Sequence, residues 1–275
     1  MKQGGDYQAV LARRNEIMRR SVGIDYDAYV DGQLSFDYER LLADAGYDIE
    51  ATRSLQERSA VGNTPLVELS QLTRLVRSLA PPGKGARILL KDEAANPSGS
   101  FKDRRASLSV HEAVKRGYPG IAAATSGNYG AAVASHAAKA GLRCIIVQEA
   151  FDSAGIAQPE ISEKTRACEA YGAEVMRLSV GPELFYVFLE VLEQTGFFNA
   201  SLYTPYSILG IETLGYEVAV QTRAMTGRFP DAVLVTHAGG GNLTGTARGL
   251  RKAGADSSEV VAVSVDLSGL HMASD

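Results

Sequence analysis

Three short segments of the chain hold residues from which chemistry can be built. Lys102 ends the run Asn96-Pro97-Ser98-Gly99-Ser100-Phe101 and opens a helical pattern with Asp103 and Arg104. The small residues before it leave room for a planar ligand. A lysine partly buried near a helix N-terminus has its pKa lowered, which favours the neutral nucleophilic amine. Such an amine can form a Schiff base with an aldehyde, whereas a lysine solvated at a helix start is the plainer alternative. Thr125-Ser126-Gly127-Asn128 follows an apolar strand and opens a helix. Its backbone N–H groups and two hydroxyls can hold a carboxylate at the carboxyl edge of a sheet, and Asn128 offers an amide suited to a phenolic ring oxygen. An ordinary strand-to-helix turn capped by Ser126 competes with that reading.

The third segment is Gly239-Gly240-Gly241-Asn242-Leu243-Thr244-Gly245. Consecutive glycines let N–H groups converge into an anion nest at a helix start, unless they only make a tight packing turn. The Gly-Lys-Ser/Thr ending of a nucleotide-hydrolysing loop is absent, and the spacing does not match a dinucleotide fingerprint. A mono-phosphate fits better. A reactive amine, a polar glycine turn and a phosphate cradle are the parts needed to hold pyridoxal 5'-phosphate. His237, just before the glycines, reads as a supporting residue. His111, His136, His237 and His271 show no paired metal spacing, and neither Cys144 nor Cys168 completes one, so no metal is expected.

The elements that must position these segments alternate in type. Apolar runs at Arg87–Lys91, Ile121–Ala124, Arg143–Val147, Glu174–Leu178, Ala232–Thr236 and Glu259–Val265 read as strands. Helical patterns cover Gln71–Leu79, Lys102–Arg116, Gly130–Ala140, Pro159–Tyr171, Glu183–Gln194, Ile211–Met225 and Thr244–Ala253, several of them stopped by glycine. Alternation of this kind means an α/β fold with open, mostly parallel sheets flanked by helices. Residues 6–20 read as a polar helix with an apolar stripe of Val10, Leu11 and Met18, and 21–60 as short helices and loops. The expected organisation is a helical extension over 1–60, a large cofactor-binding domain from 61–105 and 200–275, and a small α/β domain over 106–199.

Composition narrows the function further. The chain has 275 residues, 45% hydrophobic and 22% charged, with a net charge of −4. This is globular composition without a basic run for nucleic acid. The N-terminus lacks a secretory core, and no apolar run approaches the ~20 residues that span a bilayer. A soluble cytoplasmic protein without membrane or nucleic-acid partners is expected. The two cysteines read as reduced and buried.

With Gly62-Asn63-Thr64-Pro65-Leu66, Lys91-Asp92-Glu93, Asn96–Arg104, Ser126-Gly127-Asn128 and the glycine loop in this order, the chain resembles the fold-type II, tryptophan synthase β-like group of pyridoxal-phosphate enzymes over about residues 60–265. The resemblance implies two open sheets and Lys102 as the Schiff-base lysine. It implies Asn128 at the cofactor 3'-oxygen, Gly239, Gly240, Gly241, Asn242 and Leu243 on the phosphate, and Thr125, Ser126 and Gly127 on the substrate carboxylate. Members of the group are longer, and a residue facing the pyridine nitrogen comes from late in their chains. The sequence is therefore expected to be an incomplete or split version of a longer protein. Within the group, Ser21–Tyr26, Lys91–Asn96, Ser179–Tyr186 and Asn199–Pro205 resemble the branch of thiolase β subunits that act on 2-amino-4-oxopentanoate, with threonine synthases more distant. That implies cleavage by coenzyme A to alanine and acetyl-CoA in ornithine degradation, with a second subunit and homo-oligomerisation. The competing expectations are a threonine-synthase-like lyase or β/γ-replacement enzyme, and a non-catalytic cofactor-binding subunit.

Overall fold

Caps and helix breakers divide the chain into its elements. Asp37 and Asp48 each accept a hydrogen bond from a first-turn N–H of the helix that follows. Pro159 and Pro205 sit in the first turn of their helices, and Gly141 and Gly227 close helices in the left-handed conformation. The structure, a computed structural model, describes residues 12–32, 35–125, 127–152, 154–181, 183–201 and 204–264. Helix α1 (Arg14–Ser21) leads through a tight turn, Tyr26–Tyr29, to the hairpin β1 (Val30–Asp31) and β2 (Ser35–Phe36). Then come α2 (Tyr38–Asp44), α3 (Ile49–Arg58), β3 (Leu66–Glu68), α4 (Ser70–Leu79), β4 (Leu89–Lys91) and α5 (Lys102–Lys115). Next are β5 (Gly120–Ala124), α6 (Asn128–Ala140), β6 (Arg143–Phe151), α7 (Pro159–Ala170), β7 (Glu174–Ser179), α8 (Glu183–Thr195) and β8 (Phe198–Asn199). The last are α9 (Pro205–Thr226), β9 (Ala232–Thr236), α10 (Gly241–Lys252) and β10 (Glu259–Val263).

Strands β7-β6-β5-β8 form one parallel sheet in that order. Successive residues serve opposite faces. Ile121, Ala123 and Ile146 pack in the core that includes α6, while Ala122, Ile145 and Val147 pack against Phe188, Val191 and Leu192 of α8. Both faces are covered, which is why these strands read as continuous apolar runs. The other strands form separate pairs among the described residues, β3 with β4 antiparallel and β9 with β10 parallel. The α/β class with flanking helices agrees with expectation.

The differences have physical causes. Helix α9 begins at Pro205, six residues before the apolar pattern suggests, because proline is already set for a first turn. Strand β8 has only two residues, too few to show a period. The hairpin β1–β2 lies in a polar stretch expected to hold only helices and loops, and Tyr26, Phe36 and Tyr38 cluster there, with Phe36 4.8 Å from each tyrosine ring. Helix α1 buries Met18 and Ile17, the latter beside Leu189, while Val10 and Leu11 of the expected stripe lie outside the described residues.

Helix α9 is the spacer between the Lys102 helix and the glycine loop. A methyl group on Gly210 would fall 2.0 Å from the Arg104 carbonyl oxygen, and one on Gly215 2.0 Å from that of Thr246. On the opposite side, a methyl on Gly249 would fall 1.9 Å from the Glu212 carbonyl oxygen. Glycine lets α5, α9 and α10 touch backbone to backbone. Gln56 of α3 joins the contact, donating to the carbonyl oxygens of Arg104 and Gly210.

An ion network locks the same region. Arg104 has no exposed surface and donates to Glu93 at 2.7 and 2.8 Å and to Glu217 at 2.9 and 3.0 Å. Lys91 donates to Glu217 at 2.7 Å, and Thr64 to Glu93 at 2.6 Å. Burial alone would raise the Glu217 carboxyl, but Arg104 and Lys91 outweigh it and hold it at about 2. Burial lowers the Lys91 amine despite that partner.

Two outcomes follow from this packing. Gly249→Ala is expected to cost about 1–3 kcal/mol or more in urea denaturation, because a backbone carbonyl cannot move aside as a side chain can. Glu217→Gln leaves two buried cations short of a partner and is expected to cost about 3–5 kcal/mol at neutral pH. A carboxyl depressed in the folded state stabilises fully above its ordinary pKa of 4.5, and that stability drains as the pH falls toward 2. The substituted protein should therefore lose less stability across that interval than the parent, and parallel pH profiles would refute the assignment.

Candidate active site

Lys102 is the first residue of α5 and is half-buried. The two residues after it fix its position. Asp103, fully buried, is hydrogen-bonded through Oδ1 to His136 Nε2 at 2.9 Å, and its Oδ2 accepts from the Ser98 N–H at 2.7 Å and the Ser98 hydroxyl at 2.8 Å. Asp103 thus ties the loop before the lysine to helix α6. Arg104 ties the lysine to α9 and to the turn after β4. Asn96, at the start of the loop, accepts from the Gly62 N–H and donates to Glu93. The loop is braced at both ends, and the Lys102 ammonium lies 4.9 Å from the centre of the Phe101 ring.

The polar turn sits at the carboxyl end of β5. Thr125 is buried, and its hydroxyl accepts from the Gly127 N–H. Helix α6 starts at Asn128 with Gly127 as its extended N-cap, so no side chain caps it and its first N–H groups stay available for a ligand. Asn128 is exposed, and Ser126 lies outside the described residues. In the glycine loop only Gly240 takes a left-handed φ, +86°, and it forms the N-cap of α10, again without a side-chain cap. The N–H groups of Gly241, Asn242 and Leu243 therefore have no intrahelical acceptor. His237 lies beneath this loop, its Nε2 3.9 Å from where a Gly240 side chain would begin, and its N–H donates to Val263.

A cavity of about 220 Å³ lies at the glycine loop. Gly239 and Gly241 form one wall. Ser201, Thr204 and Ser207, around the start of α9, form a second. Tyr26, Phe36 and Tyr38 form a third, and Arg105 enters from α5. Arg105 is one helical turn beyond Lys102 and shares its face of the helix. Its guanidinium carbon lies 4.2 Å from the centre of the Tyr129 ring, next to Asn128. Ser201 exchanges hydrogen bonds with the N–H and carbonyl of Ala124, the residue before Thr125. Ser201, Arg105 and the two glycines are thus each within a residue or a helical turn of one of the three segments. Lys102, Thr125, Gly127 and Asn128 do not themselves line the cavity.

Several of these residues carry no signal in the sequence. The aromatic wall comes from a charged stretch, and Ser201 acts through a two-residue strand. Arg105 could have been found from its i+3 spacing from Lys102. The cysteines are excluded as nucleophiles, since burial pushes Cys144 up to about 12 and Cys168 to about 11. Among the described residues no group of three or more His, Cys, Asp or Glu side chains is arranged to hold a metal ion. Nor is any helix among them long and apolar enough to cross a membrane.

The parts fit pyridoxal 5'-phosphate. The helix N-terminus at Gly241, which no side chain caps, lines a cavity with Arg105 of the helix that Lys102 opens, and the helix that starts at Asn128 is likewise without a side-chain cap. Comparison with known proteins agrees. The family model "Pyridoxal-phosphate dependent enzyme" matches residues 57–273. A protein of Acetoanaerobium sticklandii named 2-amino-4-ketopentanoate thiolase beta subunit is 62% identical over all 275 residues, and the chain spans 58% of its length. A threonine synthase of Halalkalibacterium halodurans is 30% identical over 192 residues, 70% of this chain and 49% of that one. The crystal structure of a threonine deaminase from T.th. superposes with a TM-score of 0.63 at 32% identity, covering 79% of this chain and 65% of that one. A pyridoxal 5'-phosphate-dependent aspartate racemase gives a TM-score of 0.66 at 25% identity, covering 78% and 61%. Braced lysine, uncapped glycine loop and sequence match converge, and the chain belongs to the pyridoxal-phosphate-dependent enzyme family.

Proposed function

We propose that this chain is the cofactor-binding part of a thiolase that cleaves 2-amino-4-oxopentanoate with coenzyme A to alanine and acetyl-CoA. The observation that carries the reading is 62% identity to a thiolase β subunit along the whole chain, including the residues before 57 that the family model does not match. Those residues supply Tyr26, Phe36 and Tyr38 to the cavity. The shared likeness therefore extends to a wall outside the general cofactor-binding region.

The bound cofactor would supply an electron sink for charge developing on the substrate. Lys102 would hold the cofactor and then move a proton at the substrate α-carbon. Thr125, Ser126 and Gly127 would bind the substrate carboxylate at the start of α6, and Asn128 would orient the cofactor ring. Gly239 through Leu243 would hold the phosphate with backbone N–H groups. The braces on Asp103 and Arg104 would keep the amine in place. Coenzyme A would arrive with a second subunit, in keeping with the relative's description as a beta subunit. The complex would be cytoplasmic and would include further copies of this chain.

Two measurements test the proposal. The chain completed to the length of its relatives and mixed with its second subunit should form acetyl-CoA from 2-amino-4-oxopentanoate and coenzyme A. Ammonia or phosphate release from hydroxy-amino-acid substrates, without thiolysis, would point to a lyase instead. Lys102→Ala should lose the borohydride-fixed adduct on its peptide in mass spectrometry and reduce turnover by about 10²–10⁴-fold. A persistent adduct in that variant would remove Lys102 from its role.

A further inference from the structure

Arg105 stands apart from the other buried or half-buried arginines of the site region. Arg104 is paired with Glu93 and Glu217, Arg116 with Glu112, and Arg248 with Glu212 and Glu39. Arg105 has no ion pair among the described residues, and its buried Nε has no hydrogen-bond partner. A buried guanidinium N–H without an acceptor costs free energy unless a ligand supplies one. Stacking on the Tyr129 ring at 4.2 Å fixes the plane of the group without using its N–H donors. Among the described residues no carboxylate lines the cavity it enters. Gly239 and Gly241 line the same cavity, at the positive end of α10. The lining of the cavity therefore combines a cation, a helix N-terminus and the hydroxyl side chains of Ser201, Thr204 and Ser207. Arginine suits phosphate, because its fork of donors matches two oxygens at once.

We propose that Arg105 holds a phosphate ester in this cavity, which it shares with the glycine loop. The inference rests on the cofactor reading above and adds to the backbone cradle a side chain that no motif marks. The ester of pyridoxal phosphate and those of coenzyme A share this chemistry, so the test separates them. Apo protein, alone and with its second subunit, is titrated with pyridoxal phosphate and pyridoxal, then with coenzyme A and pantetheine. Parent, Arg105→Gln and Arg105→Lys are compared, with thermal unfolding as a control on the fold.

Arg105→Gln should weaken binding of the phosphorylated member of one pair by roughly 10- to 100-fold and leave its unphosphorylated partner unchanged. Arg105→Lys should recover part of the loss. A selective loss for pyridoxal phosphate assigns the cofactor's phosphate, and one for coenzyme A assigns the cosubstrate's. Equal losses within each pair, or no loss in either, would overturn the proposal. If the parent forms no borohydride-fixed adduct with either aldehyde, the cofactor reading itself has failed, and that outcome is read separately from the phosphate comparison.

Discussion

The buried guanidinium of Arg104 sets the geometry of everything near Lys102. An ion with no exposed surface requires matched acceptors, and Glu93, Glu217 and Thr213 provide them. Buried ion pairs of this kind add little net stability over well-packed apolar residues, because desolvation offsets the attraction. Their effect here is positional. Glu93 belongs to the turn after β4, Glu217 and Thr213 to α9, and Arg104 itself to α5. The donors are divided between two elements, the turn after β4 and helix α9, so neither can shift by an ångström without leaving a buried charge short of a partner. The lysine two residues earlier inherits that rigidity, which a covalent site needs to hold its amine in one place.

Helix α9 extends this constraint to the glycine loop. Its glycines let the backbones of α5 and α10 approach closer than any side chain would permit. Lys102 begins the first of those helices and Gly241 the second. The spacing between the helix that Lys102 opens and the glycine loop is thus set by backbone contact, the least compressible contact available. Gln56 reinforces it by satisfying two carbonyl oxygens where α5 and α9 meet. Helix α3, expected only as part of an outer extension, therefore serves the site directly.

What the sequence made legible was the cofactor family, read from motifs in short segments. A lysine after small residues, a polar turn after an apolar strand and a glycine run before a helix each keep their meaning when read locally. The alternating apolar runs also identified the sheet, since both of its faces are buried and its strands are unbroken. What stayed hidden depends on partners far along the chain. Asp103 and Arg104 stand in plain view beside Lys102, yet nothing local announces that His136, Glu93 and Glu217 complete them. The aromatic wall was hidden for a related reason. Tyr26, Phe36 and Tyr38 lie among charged residues, and a hairpin with two-residue strands has no period to detect.

The same geometry couples the two ends of the site. Ser201 pins the strand end that carries Thr125, and it also walls the cavity shared with Gly239. Tyr129 carries Arg105 on its ring, while its hydroxyl donates to the Ala200 carbonyl oxygen at 2.6 Å. Asn128, immediately before Tyr129, opens the helix whose N-terminus would receive the carboxylate. A displacement of α6 on binding there would carry Tyr129 and hence Arg105 with it, because a packed ring moves with its backbone rather than independently of it. The turn proposed to bind a carboxylate and the cavity proposed to bind a phosphate are therefore not separate devices placed side by side. They share one tyrosine and one serine, and both are joined to the segment that connects β8 to α9.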